Sequence, residues 1–355
     1  MEGGKLLGQG WYGCAVSEPL PCKYPQFIPG ASENDITKIG RSADLREEVM
    51  VSNILKEITF ARNYFVIIKG QPCQPSIKSL KVEPDLKKCD VVVSKGLDTL
   101  SVIRMDYGGV ALHTYRFRPT TFDLFTFGTR LLEAATILVT HGIVHCDLHQ
   151  GNILIDNYGI PRIIDFGLAI IKKYVSSKKA ADDLTYPYDP TYLQQPPELA
   201  LFHAALERRN VNVTMHDIMQ RKKTCNILYM SFGVTKEEQL AELEKFSVES
   251  AAFRNLSLEE YWAHYWSKFD AWSIGNTLLF VMNDLLKVGY DAHPTYKKHK
   301  GTMRKVIRGL LAMDPRNRYD AVDALAEWNP ASVILHKYGK EWQAKKAAAG
   351  AAFAG

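Results

Sequence analysis

The sequence predicts an α+β protein of two lobes, a small β-rich one followed by a larger helical one that carries insertions. Three observations predict it. Short β-like runs fill the first hundred residues, helix-period apolar stripes dominate after Gly108-Gly109, and the 355 residues exceed the usual size of one domain. The expected layout is an N-terminal lobe over 1–107, a C-terminal lobe over 108–335 with a helical insertion at about 199–266, and a C-terminal extension over 336–355.

A glycine-rich opening, Gly8 to Gly13, leads into Pro19 to Pro29, where Pro19, Pro21, Pro25 and Pro29 mark a loop between strands. Ile36 to Ile39 reads as a strand. Asp44 to Thr59 follows as a helix, because Val51, Ile54, Leu55 and Ile58 fall on one stripe. A polar connection at about Gln71 to Asp90 separates the apolar runs Tyr64 to Ile68 and Val91 to Val93, and Ser101 to Met105 reads as a further strand. Thr121 to Thr140 begins the helical part. Glu237 to Phe246, Leu258 to Trp266, Asp270 to Leu286, Met303 to Met313 and Ala321 to Trp328 continue it, several with acidic or polar residues at their starts. The Ala/Gly-rich tail, Ala344 to Gly355, fits a disordered segment, a weak helix or a partner-binding strap.

With 46% hydrophobic and 23% charged residues the composition is globular, which excludes disordered and fibrous classes. Subtracting 39 acidic from 44 basic residues leaves +5, too small a surplus to argue for a nucleic-acid partner or an anionic membrane. No run approaches the roughly 18 apolar residues of a membrane span, and Met1-Glu2-Gly3-Gly4 lacks the features of a signal peptide. A soluble, cytoplasmic protein without a membrane partner is expected. Cys14, Cys22, Cys73, Cys89, Cys146 and Cys225 lie far apart with no C-x-x-C pair, so reduced thiols are expected rather than a zinc site or a disulfide framework.

Gly8-Gln9-Gly10-Trp11-Tyr12-Gly13 is G-x-G-x-x-G, whose glycines let backbone N–H groups approach phosphate oxygens. Alone, the pattern fits a surface turn as well. No helix follows it, which suits a hairpin flap over a nucleotide rather than a dinucleotide-binding turn. Lys38, in the strand Ile36 to Ile39, would stand on the inner face of that flap's sheet, where an ammonium can hold phosphate oxygens if a helix carboxylate fixes it. Glu47 and Glu48 are the available carboxylates. Glu47 lies nearer the centre of the apolar stripe and Glu48 has Leu55 seven residues on, so the sequence leaves the choice open.

His145-Cys146-Asp147-Leu148-His149-Gln150-Gly151-Asn152, with Asp165-Phe166-Gly167 beginning thirteen residues after Asn152, is the strongest segment. The three oxygen-bearing side chains bracket two strand-like runs, a spacing that lets them meet. Asp147 would orient and deprotonate an attacking hydroxyl, while Asn152 and Asp165 are hard oxygen ligands suited to magnesium on phosphates.

On these motifs, in this order, the chain resembles the protein-kinase superfamily from about Lys5 to Trp328. The resemblance implies a two-lobed protein kinase-like fold whose β-rich lobe binds nucleotide, with ATP and Mg2+ as cofactors. It implies Gly8, Gly10 and Gly13 over the phosphates, Ala15 beneath the adenine where valine is usual, and Met105 as gatekeeper. Backbone groups of Asp106 and Gly108 are the implied adenine partners. Pro196-Pro197-Glu198 is similar to the motif closing the activation segment, Asp270 to Gly275 to the D-x-W-x-x-G helix, and Asp314 to Arg318 to the D-P-x-x-R signature. The implied ion pair is Glu198 with Arg318. Tyr12-Gly13-Cys14, the inserted Pro19 to Cys22 and the Met105 to Gly109 hinge are also similar to serine/threonine kinases of large DNA viruses, for which a host cytoplasm or a virion would be the setting.

Two departures bear on function. Cys146 replaces an arginine that would pair with a phosphorylated activation loop, so activity without loop phosphorylation is expected. His149 replaces a catalytic-loop lysine, and its imidazole would donate to the γ-phosphate. The long insertion holds Arg208-Arg209 and Arg221-Lys222-Lys223, which fit either solvated charges on a helical subdomain or docking of a protein partner. Tyr174, Tyr186, Tyr188, Tyr192, Thr185 and Thr191 crowd the activation segment, as phosphorylation sites or as packing aromatics. The overall expectation is transfer of the ATP γ-phosphoryl to serine or threonine hydroxyls of protein substrates. A pseudokinase scaffold and a small-molecule phosphotransferase are the rivals.

Overall fold

The computed structural model describes residues 5–10, 13–17, 19–24, 27–76, 84–94 and 99–353. Trp11 and Tyr12 of the glycine-rich pattern, the start Met1 to Gly4, parts of both Pro-containing connections and the last two residues of the tail lie outside the described residues. The chain forms two compact units, Met1–Val110 with Arg162–Ala169, and Ala111–Pro161 with Ile170–Gly355. Among the described residues no helix is long and apolar enough to cross a membrane.

The first unit is built on an antiparallel sheet of β1 (Leu6–Gly10), β2 (Gly13–Ser17), β3 (Ile36–Arg41), β4 (Ile68–Cys73) and β5 (Leu100–Met105), in the order β1-β2-β3-β5-β4. A helix, α1 (Leu45–Glu57), follows β3. The sheet places Ala15 opposite Lys38 and Lys38 opposite Ile103. Thr37 and Ile39 are buried, and Lys38, between them, projects to the other face of the pleat. Gly13 is a packing requirement, since a Cβ there would meet the Ile39 carbonyl oxygen at 2.3 Å, whereas Gly8 and Gly10 face open space.

Two expectations change here. Tyr64 and Phe65 are core residues ahead of the strand, Phe65 meeting Phe166 edge-on at 5.9 Å, and the strand starts only at Ile68. Val91 to Val93 lies in a short helix, α2 (Asp90–Ser94), because Leu86, Cys89 and Val91 anchor this stretch in the core and outweigh its β-branched composition.

The expected reduced thiols give way to two disulfides, Cys14–Cys89 and Cys22–Cys73, which close 75 and 51 residues. Sequence distance did not forbid them. All but Cys22 of the four belong to the buried cluster with Val16, Leu20, Ile39, Leu100 and Val102, with Cys22 packed on its edge. Such pairs persist in oxidising surroundings, which runs against a reducing setting. Reduction is expected to destabilise this unit by about 2–4 kcal/mol per bridge. Melting curves with and without a thiol reductant check this, and coincident curves would contradict it.

The second unit is helical. Its central helix, α3 (Leu124–Thr140), starts at Asp123, whose side chain accepts from the N–H groups of Phe125 and Thr126. Short strands β6 (Ile143–Val144) and β7 (Ile153–Ile155) flank the segment from His145 to Asn152. The stretch expected as a helical insertion, about 199–266, is helical: α5 (Pro197–Leu206), α6 (Val211–Arg221), α7 (Lys223–Phe232), α8 (Lys236–Glu249), α9 (Ala251–Arg254) and α10 (Leu258–Tyr265), preceded by α4 (Ser177–Asp183). Then come α11 (Phe269–Lys287), α12 (Pro294–Leu310), α13 (Ala321–Trp328) and α14 (Lys340–Phe353), the last taking up most of the Ala/Gly-rich tail.

Candidate active site

In the first unit the choice between Glu47 and Glu48 is resolved. Lys38 Nζ donates to Glu48 Oε2 at 2.6 Å and to Asp165 Oδ1 at 2.9 Å, while Glu47 takes no part. The reason is the helical angle: Glu48 lies on the buried face of α1 with Leu45, Val51 and Leu55. Burial opposes the charge on Lys38, but Glu48 and Asp165 outweigh it and hold its pKa above the ordinary lysine range. An ammonium fixed in this way is favoured in its charged form. Asp165 has φ 64, an uncommon conformation for a residue with a side chain and typical of functional positions.

Met105 ends β5, facing Ile36 and Ile68 across the sheet. The Asp106 carboxylate pairs with Lys69 Nζ at 2.7 Å, which also holds buried Asp35 at 2.8 Å. Gly108 follows in irregular backbone.

In the second unit the His145 to Asn152 segment hangs from Asp270, a partly buried carboxylate whose oxygens accept from the N–H groups of His145 at 2.6 Å and Cys146 at 3.1 Å. Burial raises the Asp270 pKa despite these contacts. Cys146 takes φ 64, and its thiol is buried, with a pKa pushed well up by burial and by Asp270. A thiol in that state neither pairs with a phosphate nor acts as a nucleophile.

Asp147 presents two differently used oxygens. Oδ2 accepts from Asn152 Nδ2 at 3.3 Å, and the same nitrogen donates to the Asp147 carbonyl at 2.9 Å, which leaves Asn152 Oδ1 as an acceptor. Oδ1 accepts from the Tyr192 hydroxyl at 3.1 Å. His149 Nδ1 accepts from Gly151 N–H at 2.9 Å, so its Nε2 carries the proton when neutral and faces Asp147 Oδ2 at 3.6 Å. The ring fills the space over Gly151, where a Cβ would come within 2.6 Å of it. His149 thus stands beside the carboxylate.

The implied Glu198 pair is formed. Arg318 Nη1 and Nη2 donate to the two Glu198 oxygens at 2.7 Å each, both side chains are fully buried, and Tyr261 adds a hydroxyl at 2.8 Å.

Two residues of this region escaped the sequence reading. Tyr192 was one aromatic among several. Lys222, grouped with surface bases, is fully buried and donates to the carbonyls of Tyr192 at 2.8 Å and Gln195 at 3.0 Å. Its neighbours Arg209 and Arg221 do pair at the surface, with Glu207 and Asp217. No pattern signal marks Lys222, because only the fold makes the space between α6 and α7 an interior.

Burial drives the Lys222 pKa from 10.5 down to about 8, with Cys225, Glu198 and Asp189 opposing it incompletely. Between about pH 8 and pH 10.5 the unfolded chain retains a proton on this lysine that the folded chain has released, so this group makes stability rise with pH across that window. Urea unfolding across the window should show that rise in the native protein and not in Lys222→Met. Parallel pH profiles for the two would contradict it.

The comparisons with known proteins agree in kind. The ABC1 atypical kinase-like domain matches residues 121–185. A DNA damage-responsive serine/threonine-protein kinase, RqkA, of Deinococcus radiodurans is 56% identical over 34 residues, 10% of this chain and 5% of that protein. A protein kinase and PP2C-like domain-containing protein of Oryza sativa subsp. japonica is 39% identical over 62 residues, 18% of this chain and 9% of that protein. The matched stretches therefore span under a tenth of these curated relatives. Together with the mixed α/β architecture, the matches support a kinase-like superfamily.

Proposed function

We propose that this chain transfers the γ-phosphoryl of magnesium-bound ATP to serine or threonine hydroxyls of protein substrates. The observation that carries the reading is Lys38, a largely buried ammonium held by both Glu48 and Asp165 in the unit that also holds the glycine-rich hairpin. Lys38 positions phosphate oxygens, and open space at Gly8 and Gly10 lets backbone approach them. Ala15, Met105 and the backbone of Asp106 and Gly108 take the adenine end.

Each donor type suits magnesium: Asp165 of the first unit would offer a carboxylate and Asn152 of the second an amide oxygen, the hard ligands that this ion takes along with phosphates and water. Among the described residues no group of three or more His, Cys, Asp and Glu side chains could hold a metal, and an ion carried on phosphates does not need one. When bound, magnesium neutralises phosphate charge. Asp147 accepts the proton of the attacking hydroxyl, and His149, beside it, donates to the transferring group. Buried Cys146 supports activity that is independent of loop phosphorylation.

A second reading, transfer to a small molecule, draws on His149 and on the ABC1 match. The test is radiolabelled ATP and magnesium with a basic test protein, a sugar and an aminoglycoside as acceptors. Label on serine or threonine of the protein supports the proposal, and label on a small acceptor replaces it with the second reading. Deleting Arg208 to Phe246 should weaken a native protein substrate more than the generic one, if the 199–266 insertion docks it.

A further inference from the structure

One helix carries more positive charge than the chain's whole surplus of +5. Helix α12 holds Lys297, Lys298, Lys300, Arg304, Lys305 and Arg308 and no acidic residue, so the rest of the sequence balances to −1. Its apolar side, with Met303, Val306, Ile307 and Leu310, is buried, and the bases are exposed except for half-buried Arg304. Such a helix draws anions toward itself. Along its last two turns lies an open cavity of about 520 Å³, within the range of small-molecule sites. Arg304 and Arg308, one turn apart, line it together with Lys305. Lys305 is committed to Glu327 at 2.8 Å, whereas among the described residues neither guanidinium is met by a carboxylate. Arg304 lies over the Phe232 ring, 4.6 Å from its centroid, which holds the planar fork in one orientation. The remaining lining is mostly polar. Tyr319 seats its ring against Gly309, where a Cβ would come within 2.5 Å of it, and Asn317 adds a side-chain amide. Glu242 Oε2 accepts from the Met313 N–H at 2.9 Å, which fixes the carboxylate and leaves Oε1 to accept from a ligand.

We propose that this cavity binds a small soluble polyol carrying phosphate monoesters, a phosphorylated sugar or cyclitol. The two guanidiniums pair with phosphate oxygens, and the fork of Arg304 suits a bidentate contact. Glu242 decides the rest of the ligand. A carboxylate in the lining repels a bare anion but accepts from a hydroxyl, so it selects a phosphate that brings hydroxyls with it. Phe232 and Tyr319 supply ring surfaces against which the C–H faces of a sugar or cyclitol pack. A flat basic face would suit a lipid surface, while a recess with an acid inside it favours a small molecule. None of the lining residues takes part in the phosphoryl transfer proposed above, and the inference stands independently of it.

The test titrates the purified full chain, without ATP, with inositol trisphosphate, a hexose monophosphate and inorganic phosphate by calorimetry. The two phosphorylated polyols should bind saturably at one site per chain, and more tightly than inorganic phosphate. Arg304→Gln and Arg308→Gln should each weaken them by about tenfold, the worth of one charge-assisted hydrogen bond. Arg304→Lys, which keeps the charge and loses the fork, should cost less than Arg304→Gln. The double variant Lys297→Gln with Lys298→Gln removes two charges of the same helix outside the lining and should change affinity by less than about twofold. Equal losses in that double variant and in the arginine variants would mean diffuse attraction to a basic helix and overturn the inference. Inorganic phosphate bound as tightly as the polyols overturns the choice of ligand. So does capture by phosphatidylcholine vesicles containing phosphatidylinositol bisphosphate without uptake of a soluble polyol. No binding of either polyol overturns it too, and every one of these outcomes leaves the phosphotransferase reading where it stood.

Discussion

Arg318→Leu is expected to lower the unfolding free energy by about 3–5 kcal/mol, enough to threaten folding at physiological temperature. Both partners of the Glu198 pair are fully buried, and the guanidinium also donates to the Ala312 carbonyl and lies 5.1 Å from the Trp272 ring centroid. Removing it strands a carboxylate in the interior with one hydroxyl, from Tyr261, as consolation. The pair ties the start of α5, and so the end of the segment bearing Tyr192, to the turn after α12. Denaturant unfolding measures the cost. The double variant Glu198→Met with Arg318→Leu should recover much of it, because no orphaned charge remains. A single-variant loss under about 1 kcal/mol would put the pair among weak surface bridges and contradict the burial.

Asp147→Asn is expected to cut phosphoryl transfer by about 10²–10⁴-fold, the range that general-base groups supply, while ATP affinity stays within about twofold. The amide keeps the shape of the carboxylate, but it accepts no proton. Lys38, Glu48 and Asp165 belong to the other unit and keep their mutual contacts at 2.6 and 2.9 Å. Initial-rate kinetics beside a nucleotide titration separate the two effects. Comparable turnover in the variant would remove Asp147 from the role of base.

Where contacts follow residue types at fixed spacing, they are legible in the sequence. The run His145 to Asn152, the Asp165-Phe166-Gly167 triplet and the Glu198 and Arg318 signatures each name a residue whose contacts the fold then displays. Strong periodicity worked equally well: α3 and α13 sit where their apolar stripes put them. Helix α12 shows the limit. It starts at Pro294, nine residues ahead of Met303, because its first turns, Lys297 to Lys300 included, are mostly exposed and bury only Tyr296, so no apolar stripe announces them.

What stayed hidden was long-range. The disulfides join strands and loops whose adjacency exists only in the sheet order β1-β2-β3-β5-β4 and its covering segments. Glu47 and Glu48 differ by one step of helical angle, too little for a pattern argument to separate, yet enough to bury one and leave the other half-exposed. The bond from Tyr192 to Asp147 links residues 45 apart, and no spacing rule marks it.

Titrating ATP into the protein with and without magnesium, and into Glu48→Gln and Glu47→Gln, tests the central claim most directly. Saturable binding that magnesium strengthens, weakened about tenfold in Glu48→Gln by the loss of one charge-assisted bond and unchanged in Glu47→Gln, is the predicted result. Absence of nucleotide uptake by the native chain, or equal losses in the two variants, would contradict the assignment of Lys38 and Glu48 to a nucleotide's phosphates.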